Sequence, residues 1–167
     1  LQSQGYSIAE AVIDAKYFGV PQTRRSLVQK ASLHCNPTLP DTTHGAGRLP
    51  FRTVRSAIER LPKIRAGERH PSVSNHSAAS LTEINLERLR NTPQDGGGRL
   101  DWPARLKLSC HKSRGHEDVY GRMKWDTPAP TLTCRCFSIS NGRYGHPEQD
   151  RAISFREAAT IQSFPED

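Results

Sequence analysis

A chain of 167 residues has room for one domain, or for a small domain with an attached segment, and is too short for a complete two-lobed enzyme. With 34% hydrophobic and 25% charged residues, 12 Pro and 12 Gly, it allows a modest core beneath a polar, loop-rich surface. No run nears the roughly 18 apolar residues of a membrane span, and Leu1-Gln2-Ser3-Gln4 carries neither a basic nor an apolar leader region, so a soluble, cytoplasmic protein is expected.

The start at Leu1, with Met123 as the only methionine, reads as an excised fragment. The formal charge of +7 is unevenly placed: from His44 to Arg143, 18 Lys or Arg stand against 9 Asp or Glu, while the flanks together hold 6 against 8. Eighteen of the 24 basic residues are Arg, whose planar fork suits phosphates and the guanine edge. The concentration points to a polyanionic partner, with a merely solvated basic surface as the alternative.

Gly5 to Ala15, apolar at Tyr6, Ile8, Val12 and Ile13, fits a strand or a short helix, and Gly19-Val20-Pro21 breaks it. Ser26 to Leu33 reads as a strand; Gln29 and Lys30 give it a solvated face, as an edge strand has. Residues 34 to 52, rich in Pro, Thr and Gly, read as loop.

A helix is expected next, capped by Thr53, with Val54, Ala57, Ile58 and Leu61 on one face and Pro62 as its stop. A second is expected from Leu81 to Arg90, with Ser80 and Glu83 spaced as a capping box. From Asn91 to Ile139 short apolar runs such as Leu106-Lys107-Leu108, separated by Gly96-Gly97-Gly98 and prolines, suggest a β-rich irregular unit. Ser154 and Glu157 form a further capping box, opening a helix with Phe155, Ala158, Ala159 and Ile161 on its apolar side, ended by Pro165. Of the cysteines Cys35, Cys110, Cys134 and Cys136, none has zinc-knuckle spacing; a site of Cys110, His111, Cys134 and Cys136 is conceivable, against ordinary reduced thiols.

Two segments carry a resemblance. Asp14-Ala15-Lys16-Tyr17-Phe18-Gly19-Val20-Pro21-Gln22-Thr23-Arg24-Arg25 resembles one late motif of bacterial cytosine-5 DNA methyltransferases, and Arg151-Ala152-Ile153-Ser154-Phe155-Arg156-Glu157-Ala158-Ala159-Thr160-Ile161-Gln162-Ser163-Phe164-Pro165 resembles another. Pro128-Ala129-Pro130-Thr131-Leu132 is similar to the Pro-x-x-Thr-Leu found near the end of the family's target recognition domain. The resemblance implies an α+β fold: a catalytic-domain segment at 1–33, a recognition domain at 34–140, and a return to the catalytic domain at 141–167.

It also implies double-stranded DNA as partner, S-adenosylmethionine as the parent enzyme's cofactor, and a flipped cytosine attacked by a cysteine that follows proline. No Pro-Cys pair, Phe-x-Gly-x-Gly loop or Glu-Asn-Val segment occurs here. No catalytic residue is therefore expected in the chain, which would need a separate N-terminal catalytic lobe. Stand-alone DNA-binding or regulatory modules, and a split-enzyme subunit, are the competing expectations.

For DNA contacts the resemblance implies Gln22 and Arg24 at the flipped nucleotide and its flanking phosphate, where the alternatives are a braced turn and a surface charge. Thr131 and Leu132 would lie at the edge of the recognition domain, with core packing as the alternative for Leu132. The family's second arginine of the first motif is replaced by Ser26, and Arg25, also counted as a DNA contact, points to the other side of a strand. Residue chemistry adds Arg99, Arg114, Arg122, Arg135, Arg143 and Asn141 as candidate base readers. Arg151, Arg156 and Glu157 are expected to be structural.

Overall fold

A computed structural model describes residues 1–108 and 118–165. Strands β1 (Ser7–Asp14) and β2 (Arg25–Ser32) pair antiparallel in the register that sets Val12 opposite Leu27 and Glu10 opposite Gln29. The first segment is thus a strand rather than a helix, its β-branched Ile8, Val12 and Ile13 favouring the pleat. β2 is the solvated strand that Gln29 and Lys30 suggested: Gln29 Nε2 donates to Glu10 Oε2 at 2.5 Å and Lys30 Nζ to Thr38 O at 3.4 Å. Val12 and Leu27 form an exposed apolar cross-strand pair.

Three short helices follow: α1 (Val54–Ile58), α2 (Glu83–Arg90) and α3 (Phe155–Ile161). Thr53 caps α1, accepting from Ser56 N, and the Ser56 hydroxyl returns the bond to Thr53 N. The helix ends at Ile58, short of Pro62, and Leu61 reaches the core from the turn beyond. α2 starts after Thr82, two residues later than the Ser80–Glu83 pattern suggested; Glu83 is then its first residue, too early to reach back to a cap. α3 has the anticipated box, with Ser154 Oγ accepting from Glu157 N and Glu157 Oε2 accepting from Ser154 N. Its buried side differs, however: Phe155 is exposed, whereas Arg156 and Glu157 are buried.

The expectation of a β-rich unit after Asn91 is overturned. Among the described residues this stretch holds single-turn 3-10 segments at Arg99–Asp101, Ala104–Leu106 and Ile139–Asn141, with isolated bridges in place of strands. Prolines 93, 103, 128 and 130 remove ladder donors, and the glycine triplet favours turns over extended pairing. Leu106 belongs to a 3-10 turn and is buried rather than strand-borne.

α1 packs against α3, and one core joins Val54 and Ile58 with Met123, Ala129, Leu132 and Tyr144 and with Ile153, Ala158 and Ile161. The segments divided at residue 140 therefore share one interior. Full burial of side chains such as Ile58, Ile153 and Ile161 contributes about 1.5–3 kcal/mol each. A second cluster holds α2 through Leu89, Ile139 and Ala152.

Beside these clusters lies a buried ion pair. Arg151 donates through Nη1 and Nη2 to both oxygens of Glu157, each at 2.7 Å, and through Nε to Ile64 O at 3.1 Å. Burial alone would raise the Glu157 carboxyl, but the Arg151 bonds hold it below the usual carboxylate range. His146 stands 3.7 Å from Glu157 Oε1 and accepts the Glu148 and Gln149 amides at Nδ1, which a neutral ring can do. Burial pushes its pKa down from 6.5 to about 4.

Two outcomes are expected. Glu157→Gln strands Arg151 without its counter-charge, and the urea midpoint should fall by about 3–5 kcal/mol of stability. Unfolded chains protonate His146 near pH 6.5 and folded ones only near pH 4, so between these values the unfolded state binds more protons and stability drops as pH falls. At about 1.4 kcal/mol per pKa unit this amounts to roughly 3 kcal/mol. Glu157, whose folded pKa is lowered, adds to the loss at the acid end. Urea titrations across that window should show the fall, and His146→Gln should flatten it.

Candidate nucleic-acid interface

Asp14 closes β1 and organises the turn that follows it. Its Oδ1 accepts from Lys16 N at 3.4 Å and from Arg24 N at 2.9 Å, so one carboxylate caps the 3-10 segment Ala15–Phe18 and sets where β2 begins. Gly19 follows with φ 82°, and a Cβ there would stand 2.7 Å from the His44 ring, so both conformation and contact require glycine. The loop carrying His44 is tied back by Thr43 N and His44 N, which donate to Tyr17 O.

The next residues dock on the Pro-rich stretch more than 100 positions away. Gln22 forms a parallel bridge with Ala129: Thr23 N donates to Ala129 O at 2.8 Å, and Ala129 N to Pro21 O at 2.9 Å. Thr131 Oγ1 donates to Thr23 O at 2.6 Å and Arg24 Nη1 to Leu132 O at 3.4 Å. Tyr144, buried behind this seam, donates its hydroxyl to Thr131 O at 3.0 Å.

The seam sorts the anticipated residues. Arg24, Arg25, Thr131, Arg135 and Asn141 are exposed, and the first three stand on or beside the seam. Gln22 is 1% exposed, and its Nε2 has no hydrogen-bond partner among the described residues. A buried unpaired amide donor costs about 1–3 kcal/mol, which a ligand acceptor would offset. Leu132 is buried in the main core, as its packing alternative had it. Arg114, like Cys110 and His111, lies outside the described residues.

Two of the candidate base readers, Arg122 and Arg99, are buried. Arg122 is 1% exposed, and all five of its N–H donors are engaged: Nε with Thr92 O, Nη1 with His146 O and Gln149 O, Nη2 with Leu89 O and Asp150 Oδ1. Nothing is left for a base edge. Arg99 is buried too. Arg143, half-buried, donates to Gly96 O, Gly97 O and Arg122 O and pairs with Asp118 at 3.5 Å, bracing the glycine triplet.

Arg151, Arg156 and Glu157 have internal partners. Arg156 donates to Ser74 O and Pro165 O, while the His76 ring bridges Pro62 O and the capping hydroxyl of Ser154. Cys35, Cys134 and Cys136 are free, burial pushes the Cys136 thiol up, and no His, Cys, Asp or Glu cluster among the described residues could hold a metal.

Lys124 went unremarked among so many arginines. It is exposed and, with Thr23, Gly96, Thr127, Pro130 and Arg143, lines a groove of about 420 Å³ beside the seam. The glycine triplet, a sign of close approach, was its available signal.

The family described as C-5 cytosine-specific DNA methylase matches residues 1–167. The chain is 42% identical to the type II methylase M.HgiDII of Herpetosiphon aurantiacus over 99% of its own length and 47% of the relative's. It is 32% identical to the type II methyltransferase M1.BsuMI of Bacillus subtilis, over 99% of its length and 38% of that protein's. It thus spans less than half of these relatives. Its backbone is similar to a crystal structure of an E. coli prophage-encoded protein described as a candidate DNA modification methyltransferase, with TM-score 0.63 and 18% identity, covering 98% of this chain and 52% of that one.

The contrast between Arg122 and Arg24 is measurable. Arg122→Lys should lower stability by about 3–5 kcal/mol in urea unfolding, because four carbonyls and a carboxylate lose fixed donors. Arg24→Ala, at an exposed position, should stay within about 0.5 kcal/mol.

Proposed function

The chain belongs to the C-5 cytosine-specific DNA methylases, and we propose that it is the DNA target recognition part of such an enzyme, joined to one piece of the catalytic lobe. Supporting this is the seam itself: residues 21–24 and 129–132, which resemble separate family motifs, lock together by main-chain bonds and leave Arg24, Arg25 and Thr131 facing outward. A cytosine within a duplex exposes its carbon 5 only when flipped, and the protein must then hold the distorted strand by its phosphates. The +9 segment from His44 to Arg143 supplies the long-range attraction.

The nucleophile and the methyl donor's pocket belong to a separate N-terminal catalytic lobe. S-adenosylmethionine supplies the methyl group in this family. The residues here do not fit that molecule: the cleft of about 720 Å³ lined by Lys63, Arg65, Leu86, Arg90 and their neighbours has no aromatic side chain among its described lining residues, and four of its charges form the Lys63–Glu148 and Arg90–Asp150 pairs. No step is assigned to it. What this chain contributes is the docking of Gln22 and Arg24 beside the strand and the reading of neighbouring bases, with exposed Arg135 and Asn141 as the retained candidates.

Complementation tests this role. Mixed with a separately produced N-terminal lobe carrying the Pro-Cys nucleophile, the chain should support transfer of tritiated methyl groups to duplex DNA, while neither piece transfers alone. An absence of gain on mixing refutes the assignment. Alone, the chain should bind duplex DNA weakly and lose that binding as salt rises. Micromolar S-adenosylmethionine binding in titration calorimetry would contradict the division of labour.

A further inference from the structure

We propose that Lys124 is a phosphate contact for the DNA strand lying in the groove beside the seam; this rests on the DNA-holding role proposed above. The groove is lined by Thr23, Met123, Lys124, Thr127 and Pro130, with Gly96 and Arg143, and no carboxylate lines it. Of the two cations among the described residues lining the groove, Arg143 is half-buried and turned to carbonyls and to Asp118, whereas Lys124 is the exposed one. Neighbouring acids are engaged elsewhere: Asp95 accepts from Trp125 N at 2.7 Å, and Asp126 receives Arg55 at 2.6 and 3.1 Å.

The side chain is also held. Backbone bonds pin the chain on either side, from Arg122 N to Gly97 O, Met123 N to Gly145 O and Trp125 N to Asp95 Oδ1. Its aliphatic stem lies directly over Gly96, where a Cβ would meet Lys124 Cγ and Cε at 2.5 Å. Gly96 has φ 107°, a left-handed conformation that favours glycine. A Lys stem laid on apolar surface with its ammonium in a groove is the usual snorkelling arrangement. The same groove is lined by Thr23, which precedes the motif arginine Arg24. An ammonium acts as a compact point charge, suited to a phosphate and indifferent to base identity.

The test measures anisotropy of a fluorescein-labelled duplex of about 20 base pairs, titrated with the chain from about 50 to 200 mM salt. Lys124→Met keeps the stem over Gly96 and removes the charge. It should flatten the slope of log affinity against log salt by about 0.9, so that roughly threefold less affinity is lost across this range. Lys124→Arg should retain the slope, and the Lys124→Met deficit should be equal on duplexes of unrelated sequence. An unchanged slope in Lys124→Met while Arg24→Ala flattens it overturns the assignment and leaves the wider role standing. A deficit confined to one DNA sequence overturns it as well, since that marks a base reader. If the unsubstituted chain shows no salt-dependent binding, the DNA-holding role falls and this contact with it. Unchanged urea midpoints establish that the variants are folded.

Discussion

Backbone carbonyls buried in an interior that lacks strand ladders must find donors, and most of this structure follows from how they do so. The described residues between Asn91 and Tyr144 fold through turns and isolated bridges, leaving their carbonyls without the regular partners of a sheet. Arginine supplies them. Arg122 binds four carbonyls from two parts of the chain, Arg143 binds three, and Arg151 binds those of Ile64 and Ala152 while pairing with Glu157. Removing a buried guanidinium from water is costly, and the arrangement holds because nearly every donor is satisfied.

Glu157 ties this polar interior to secondary structure. The same carboxylate receives Arg151 and the Ser154 amide, so the charge that neutralises the buried cation also caps α3. His76 holds the capping hydroxyl from the other side, and Phe155 N and Arg156 N donate to Ser77 O and Asn75 O. The helix start is thereby fixed against the loop at residues 74–77. The same frame, through Tyr144 and Leu132, backs the seam on which Gln22 and Arg24 stand. Arg24 is exposed on a seam backed by the packed core.

Legibility in the sequence followed the range of the interactions. The cap at Thr53 and the box at Ser154 involve residues within one turn, so near neighbours predicted them and the structure has both. Ser80 and Glu83 have equal spacing and form no box, since the helix there starts after Thr82. The second strand was read from its apolar run and the first was left open between strand and helix, whereas the strands expected within 91–139 are not found among the described residues, where prolines and glycines outweigh short apolar runs. Residue type ranked Arg99, Arg122 and Arg143 as base readers. Burial assigns Arg99 and Arg122 to the interior, while half-buried Arg143 shares the groove with Lys124, a less distinctive residue.

The sequence by itself determined the family, through two motif segments, along with the helix caps and the basic character of the middle of the chain. Those are properties of neighbours along the chain and of summed charge, which survive any arrangement in space. Only the tertiary structure decided which arginines face solvent, that Thr23 meets Ala129, and that Gly96 lies beneath Lys124. A guanidinium is equally suited to a phosphate and to a cluster of buried carbonyls, and the choice between them depends on which backbone groups the fold leaves unpaired nearby.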